Sequence, residues 1–440
     1  MLRYLSLLSL LLSSSGLSAQ HFNANKMDSL LSLIEQKHKS MGSVSILRQG
    51  EEVYQRSIGY ANYNEGIKAD DGTVYRIGSI SKTFTAVIIM QMIEEGKLSL
   101  DTKLAHYFPQ LPNADKISIE HMLRHRSGLY NFTNKPDVFN KLKGEVSKEQ
   151  FISIFTENGV EFEPDEKTAY SNTNFVLLSL IAEEEDDMAF EQILHERIAM
   201  PLQFKDTYIA SPHRPAQREA FSYYRKDDWI QSSQSNLSIA KGAGAISSTP
   251  EDVNRFLTAL FTYQILDSAT VAQMTRLKDN FGLGLMLIPF YERYAYGHAG
   301  RIDAFSTSSA YFEEDSVAIS YFANASVMDV NSIMIGILSI YFDKAYEMPT
   351  FRPNITLSEA ILDQYTGTYS SPAFPLKLKM WREGNTLMGQ ASGQPSFPLE
   401  AIEERVFQFE QAGIILEFEP EKKLMVLKQA GGAYQLSREE

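Results

Sequence analysis

The sequence predicts an α/β (α+β) first domain, an antiparallel sheet with flanking helices and a helical subdomain, and then a small all-β domain. Three observations carry this. Strand-like runs sit near both ends of the first 345 or so residues, and the stretch between them reads mostly as helix. The final 80 or so residues alternate polar and apolar positions in short, evenly spaced runs. One sheet assembled from early and late strands, wrapped by the helices between, satisfies the first two. A small barrel or sandwich satisfies the third.

Taken in order, residues Lys26 to Lys39 carry Met27, Leu30, Leu31 and Ile34 at helical spacing. Gly42 to Arg48 and Glu52 to Ala61 read as strands, with Gly50-Glu51 as the turn between them. A helix is expected from Ser79 to Glu95, apolar at Ile80, Phe84, Val87, Ile88 and Met92, and Gly96 ends it. Between residues 100 and 270, Ser118 caps a helix holding Met122 and Leu123. Ser147 with Gln150 forms a capping box ahead of Phe151. Further helices are expected from Asn172 to Glu184 and from Met188 to Met200. Strand character returns near Phe281, with runs at Tyr294–His298, Ala304–Phe312 and Ser316–Ala323, and a helix follows from Val330 to Tyr341. Pro349 and Pro353 mark a linker. Beyond it, strands are expected at Tyr365–Tyr369, Pro375–Arg382, Thr386–Gln390, Val406–Phe409, Ile414–Glu419 and Leu424–Lys428. The implied division is a leader over 1–19, a first domain over 20–347, a linker over 348–357 and a β-domain over 358–440.

Composition removes several function classes. The formal net charge is −14 and no run of Lys and Arg stands out, so a nucleic-acid partner is not expected. There is no cysteine, which excludes disulfides, thiolate catalysis and Cys-ligated zinc. Arg3, the apolar run Leu5–Leu12 and the small residues Ser18 and Ala19 have the layout of a secretory signal, so export to the periplasm or medium is expected. The apolar run is short for a bilayer span, and no other run of about 18 apolar residues follows. No transmembrane segment is expected after cleavage.

Three short motifs carry chemistry. Ser79-Ile80-Ser81-Lys82 puts a hydroxyl and an amine three residues apart, on one helix face. A lysine buried near a helix N-terminus is disfavoured as a cation and becomes a usable base. Tyr170-Ser171-Asn172 falls at a loop-to-helix junction. There a cation lowers a phenol's pKa and lets it relay protons, and the Asn172 amide can donate to a substrate carbonyl and hold Lys82. His298-Ala299-Gly300 follows a strand-like run. Its glycine admits close approach of a substrate backbone, and the N–H of Arg301 can form an oxyanion hole with that of Ser79. Taken singly, each motif has an ordinary reading: Ser79 as a helix cap, Tyr170 as a core ring, His298 as a structural histidine. Together they sit on the three kinds of element their chemistry needs.

The segment Arg76-Ile77-Gly78-Ser79-Ile80-Ser81-Lys82-Thr83-Phe84-Thr85-Ala86 resembles the active-site segment of the β-lactamase-related serine hydrolases. These include class C β-lactamases, penicillin-binding proteins, D-aminopeptidases and family VIII-type esterases. Supporting segments are His121–Leu129, Gly242–Thr249, Phe281–Gly284 and Gly297–Gly300, so the resemblance spans residues 26 to 345. Tyr365-Thr366-Gly367-Thr368-Tyr369 is similar to a C-terminal β-domain found on some members. The resemblance implies Ser79 as nucleophile, Lys82 as its partner base, Tyr170 as proton relay and Asn172 as a substrate-amide ligand. It implies that His298 and Gly300 line an edge strand holding the substrate. It leaves open which of Lys82 and Tyr170 takes the first proton. It implies no metal and no cofactor.

The expected reaction is acyl transfer through Ser79 on amide or ester bonds of small peptides or esters. The alternatives are a β-lactamase and a non-catalytic binder of peptidoglycan-like peptides. His298 stands where β-lactamases carry lysine, and a largely neutral histidine holds a β-lactam carboxylate poorly. Other features read as structural. His121 and His125 lack the glutamate of a zincin helix, and Glu183–Asp187 lacks the alternating spacing of a calcium loop. Ser79 lacks the flanking glycines of a nucleophile elbow. Tyr223, Tyr224 and Trp229 read either as cleft lining or as packing.

Overall fold

In the computed structural model, residues 22–135, 144–209, 218–351, 354–429 and 432–439 are described. The expected leader over 1–19 and Pro353 of the linker lie outside them.

Helix α1 spans Ala24–Gln36, and Asn23 caps it by accepting from the Lys26 amide at 3.0 Å. The hairpin of β1 (Ser40–Arg48) and β2 (Glu51–Ile58) follows. The second predicted strand breaks at Gly59, whose φ is +77°, so Tyr60–Asn62 forms a separate short strand. Helix α2 (Ser81–Glu94), helix α3 (Asn172–Asp186) and helix α4 (Pro250–Phe261) supply one layer. The late strands are β3 (Met286–Phe290), β4 (Arg293–Ile302), β5 (Phe305–Phe312) and β6 (Val317–Ser326), and helix α5 (Val330–Tyr341) closes the domain.

The sheet runs β3-β4-β5-β6-β1-β2, antiparallel throughout this path. First and last strands of the domain meet at the β1–β6 pair, where Val44 faces Tyr321 and Ile46 faces Ile319. Both faces of these central strands are covered. Val44, Ile46 and Ile319 pack with Met27, Leu30 and Ile337 of α1 and α5. On the other face Ser45 and Ser320 bond Asn254 of α4, at 3.2 and 2.6 Å. The middle of the chain is less helical than its pattern suggested. It also contributes strands Tyr223–Arg225 and Trp229–Gln231 to this sheet, and Tyr208–Ile209 and Ile246–Ser248 to a small second one. Period-two strands of two or three residues are too short to register as pattern. The helix expected from Met188 to Met200 is Phe190–Leu194 followed by a wider turn, His195–Ala199.

The C-terminal strands are β7 (Gly367–Ser371), β8 (Phe374–Glu383), β9 (Thr386–Ala391), β10 (Phe397–Glu403), β11 (Val406–Phe409), β12 (Ile414–Glu419), β13 (Leu424–Gln429) and β14 (Gly432–Arg438). They close into an eight-stranded barrel, β14 pairing back onto β7. The strands β10 and β14 were absent from the sequence expectation. Contact with the first domain runs through Glu410, whose carboxylate accepts from Lys39 at 2.7 Å and whose carbonyl accepts from the Asp329 amide at 2.8 Å.

Candidate active site

Ser79 does not begin the long helix directly. It sits in a single 3-10 turn, Gly78–Ile80, and α2 starts at Ser81. The turn holds Ser79 half-exposed between buried neighbours. Gly78 has φ +52°, and a Cβ there would stand 2.8 Å from the Arg301 nitrogen. Gly300 is equally tight: a Cβ would stand 2.0 Å from the Ile77 carbonyl. Two glycines therefore let β4 lie directly against the turn carrying Ser79.

Lys82, one helical turn on, is fully buried. Its Nζ donates to Ser79 Oγ at 2.9 Å and to the Ala243 carbonyl at 2.6 Å. Among the described residues it joins no ion pair, and burial holds the amine well below the ordinary lysine range. The Ala243 carbonyl is delivered by a clamped loop. Gly242 leaves no room for a side chain, since a Cβ would meet Ser179 and Thr85 at 2.7 Å, and Thr85 Oγ1 donates to the Gly242 carbonyl at 2.7 Å.

Tyr170 comes to the same spot from the residues preceding α3. Its ring lies 4.9 Å from Lys82 Nζ, and its hydroxyl is hydrogen-bonded with Ser79. The residue is 36 % exposed, yet its hydroxyl end is crowded by protein, and desolvation pushes the phenol up. The expected lowering by a neighbouring cation does not occur. The amine beside it is itself desolvated, which disfavours its charged form, and burial dominates at the phenol. Behind Tyr170 lie two buried imidazoles. The His125 ring stands 4.3 Å away and the His298 ring 6.1 Å away. Burial, with Lys82 second, drives His298 down to about 3 and His125 well below its usual value.

Asn172 opens α3, and its amide donates to Thr133 Oγ1 at 2.9 Å. It makes no bond with Lys82, which corrects the expectation that it holds the amine. It does line the cavity at Ser79. His298 and Gly300 do not. His298 is buried with Nδ1 2.5 Å from the Ala299 carbonyl oxygen, and Gly300 is covered by Ile77. The strand they share is covered by β3 from Arg293 to Gly297 and is a free sheet edge only beyond it, where both residues lie. In that half, His298 to Ile302, Ala299 and Arg301 are exposed, and Arg301 lines the cavity.

That cavity, about 510 Å³, is the size of a small-ligand site. Besides Ser79, Asn172 and Arg301 it is walled by Phe132, Thr133, Ser232, Ser233 and Asp303. None of the last five was picked out from sequence: the polar run Gln231–Asn236 has no spacing that distinguishes it from a surface loop. Asp303 is fixed there by a buried network. Arg76 donates to its Oδ2 at 2.9 Å and to the Ser235 carbonyl at 3.0 Å, while the Ser235 amide donates to its Oδ1 at 2.9 Å. His125 was read as structural. Its Nδ1 accepts from the Ser171 amide at 3.1 Å, which fixes the segment presenting Tyr170. Tyr223 and Trp229 pack with Met41 and Ala325, away from the cavity.

A half-exposed serine beside a buried lysine with no ion pair among the described residues and a tyrosine, against an antiparallel sheet, is the arrangement of the β-lactamase-related serine hydrolases. The chain belongs to the Beta-lactamase family, whose model matches residues 28–334, and it is a serine hydrolase. It is 25 % identical over 382 residues to penicillin-binding protein 4* of Bacillus subtilis, covering 78 % of this chain and 83 % of that protein. It is 23 % identical over 270 residues to the teichoic acid D-alanine hydrolase of Staphylococcus aureus, covering 59 % of this chain and 66 % of that one. The D-amino acid amidase of Ochrobactrum anthropi SV3, solved with D-phenylalanine, superposes with a TM-score of 0.66 at 27 % identity. The match covers 73 % of this chain and 99 % of the amidase.

Proposed function

We propose that the chain is an exported hydrolase of small peptide amides or esters, including D-amino-acid or cell-wall-derived ones, working through an acyl-enzyme on Ser79. The observation that carries this is the 2.9 Å contact between Ser79 Oγ and a Lys82 amine that is buried and without a counter-charge. An amine held neutral has a lone pair to accept the Ser79 proton. Lys82 is thus the acylation base. Tyr170, pushed up and therefore protonated, is an acid and relay.

In acylation Ser79 Oγ bonds to the substrate carbonyl carbon and its proton passes to Lys82 Nζ. The oxyanion is received by the Ser79 and Arg301 amides, brought together by Gly78 and Gly300. The positive charge on Lys82 and the negative charge on the oxyanion arise together, so each stabilises the other only as the barrier is crossed. The proton then leaves through Tyr170 to the departing amine or alcohol as the tetrahedral bond breaks. Water repeats the sequence in reverse on the ester to free Ser79. Asn172 donates to the substrate amide from the cavity wall.

The relatives support D-configured and cell-wall chemistry: one is named for D-alanine on teichoic acid, another for D-amino acid amides. Export is supported by the signal-like layout of residues 1–19, and no helix of the described residues is long and apolar enough to cross a membrane. The test is a panel of p-nitrophenyl esters, D- and L-amino-acid amides and nitrocefin, run with the wild type and Ser79→Ala. Turnover of esters or D-amides that vanishes in Ser79→Ala, with a fluorophosphonate label on the wild type alone, is expected. Label on neither, with binding of peptidoglycan peptides intact, would leave a non-catalytic binder. Nitrocefin turnover exceeding that of every amide and ester would leave a β-lactamase.

A further inference from the structure

The C-terminal barrel has two unlike ends. One is filled. Tyr365, just ahead of β7, packs its ring 5.2 Å from Phe407 and 4.9 Å from Phe418, and all three are at most 2 % exposed. The opposite end is hollow, with a cavity of about 340 Å³. Its wall is made by inward-facing positions of six strands. Along β8 these are Phe374, Leu376 and Leu378; the first two are half-buried and the third is buried. Along β12 the pair Ile414 and Leu416 repeats the gradient. The cavity therefore opens outward and deepens toward the barrel centre.

Its chemistry is graded in the same direction. The floor is aliphatic, at Leu378, Ala391, Leu416 and Leu427. Phe397 and Phe409 stack at 4.7 Å to form one wall. Gln394, Ser396 and Gln429 supply amides and a hydroxyl, and among the described residues no charged side chain lines the space. An eight-stranded barrel is just wide enough to be filled by its own side chains or to hold one small ligand. This one is filled at one end only. The hollow has the volume of roughly eleven waters, and an apolar floor offers them no partners.

We propose that this hollow binds the hydrocarbon tail of a single-chain amphiphile, a medium-length acyl chain entering tail first with its polar head at the Gln394–Ser396–Gln429 rim. The site is separate from Ser79 and stands whether or not the acyl-enzyme reading does. The aliphatic floor and uncharged amide rim match such a molecule in that order. A ligand charged or strongly hydrated at the end that enters the floor would lose its water with nothing in return.

The experiment uses the full chain and cis-parinaric acid, a fluorescent acyl probe. Saturable one-to-one enhancement is expected, reversed by dodecanol and unchanged both in Ser79→Ala and after fluorophosphonate labelling of Ser79. Ala391→Phe fills the floor and should weaken the probe at least tenfold while Ser79 still labels. If that variant fails to fold, Leu376→Asp at the mouth gives the same readout. Absence of saturation, equal affinity in both barrel variants, or loss of the probe on blocking Ser79 would each overturn the proposal. Displacement by naphthalene but not by dodecanol would replace the acyl chain with a flat aromatic ligand and overturn it too.

Discussion

Three basic side chains crowd one phenol: Lys82, His125 and His298 all pack around Tyr170, and no carboxylate is paired with Lys82 among the described residues. Burial strips water from each and pushes it toward its neutral form, and a charge on one would repel a charge on the others. The result is a proton acceptor poised beside Ser79 rather than a fixed cation. Activity should fall on the acid side, as protons reach Lys82. The acid limb of kcat/KM should lie well below the ordinary lysine value and vanish in a Lys82→Ala background. Lys82→Arg puts a fixed cation in place of the base, and should lower kcat by about a hundredfold to ten-thousandfold. A Lys82→Arg enzyme with near wild-type kcat would assign the base elsewhere. Tyr170→Phe should lower kcat by a comparable factor while leaving KM within a few-fold, because the ring packed against Lys82 and His125 remains.

The elements that bring these groups together are held by close approach, so single added carbons test them. Gly300→Ala sets a methyl 2.0 Å from the Ile77 carbonyl and must push β4 away from the Ser79 turn. A cost of about 1–3 kcal/mol is expected, with activity falling further than stability because the two proposed oxyanion donors separate. Thermal melts and kcat measured on one preparation check this. A second support is the buried pairing of Arg76 with Asp303, both 2 % exposed, and with Glu219 at 3.5 Å. Removing one partner strands the others, so Arg76→Met should cost about 3–5 kcal/mol and release the cavity wall at Ser235 and Asp303. Unchanged denaturant midpoint in Arg76→Met would contradict that.

At the scale of the whole molecule, one buried acid makes stability depend on pH in an uncommon direction. Asp252, in the first turn of α4, is pushed up to about 6 by burial, against which the Thr207 hydroxyl at 2.9 Å helps only in part. Between its unfolded value near 4 and 6 the folded protein binds more protons than the unfolded one. Stability contributed by this group is therefore present below about pH 4 and lost as pH rises through 6. Asp252→Asn should flatten the melting temperature over that range, without altering the acid limb set at Lys82. A wild-type melting temperature that rises between pH 4 and 6 by the same amount in Asp252→Asn would refute the assignment.

The proposed catalytic pair was legible as a contact because both members sit on one stretch of chain. Three residues of helix fix Ser79 against Lys82 whatever the rest does, and the glycine-bounded segments around them are spaced by local geometry. The long central strands were legible for a related reason: at nine and ten residues, β1 and β6 are long enough to show as strand-like runs in the chain. The charge state of Tyr170, the bonding of Asn172 and the depth of His298 were not legible. Each depends on which groups from distant segments arrive beside it and how much water they displace, and no local pattern encodes that. The same holds for the cavity wall at Ser232, Ser233 and Asp303 and for the half-filled barrel. By itself the sequence determined that Ser79 and Lys82 stand side by side and in what order the longer strands and helices run, all properties of short-range periodicity. Tertiary structure alone decided protonation, access and shape, because those are set by desolvation and packing among residues far apart in the chain.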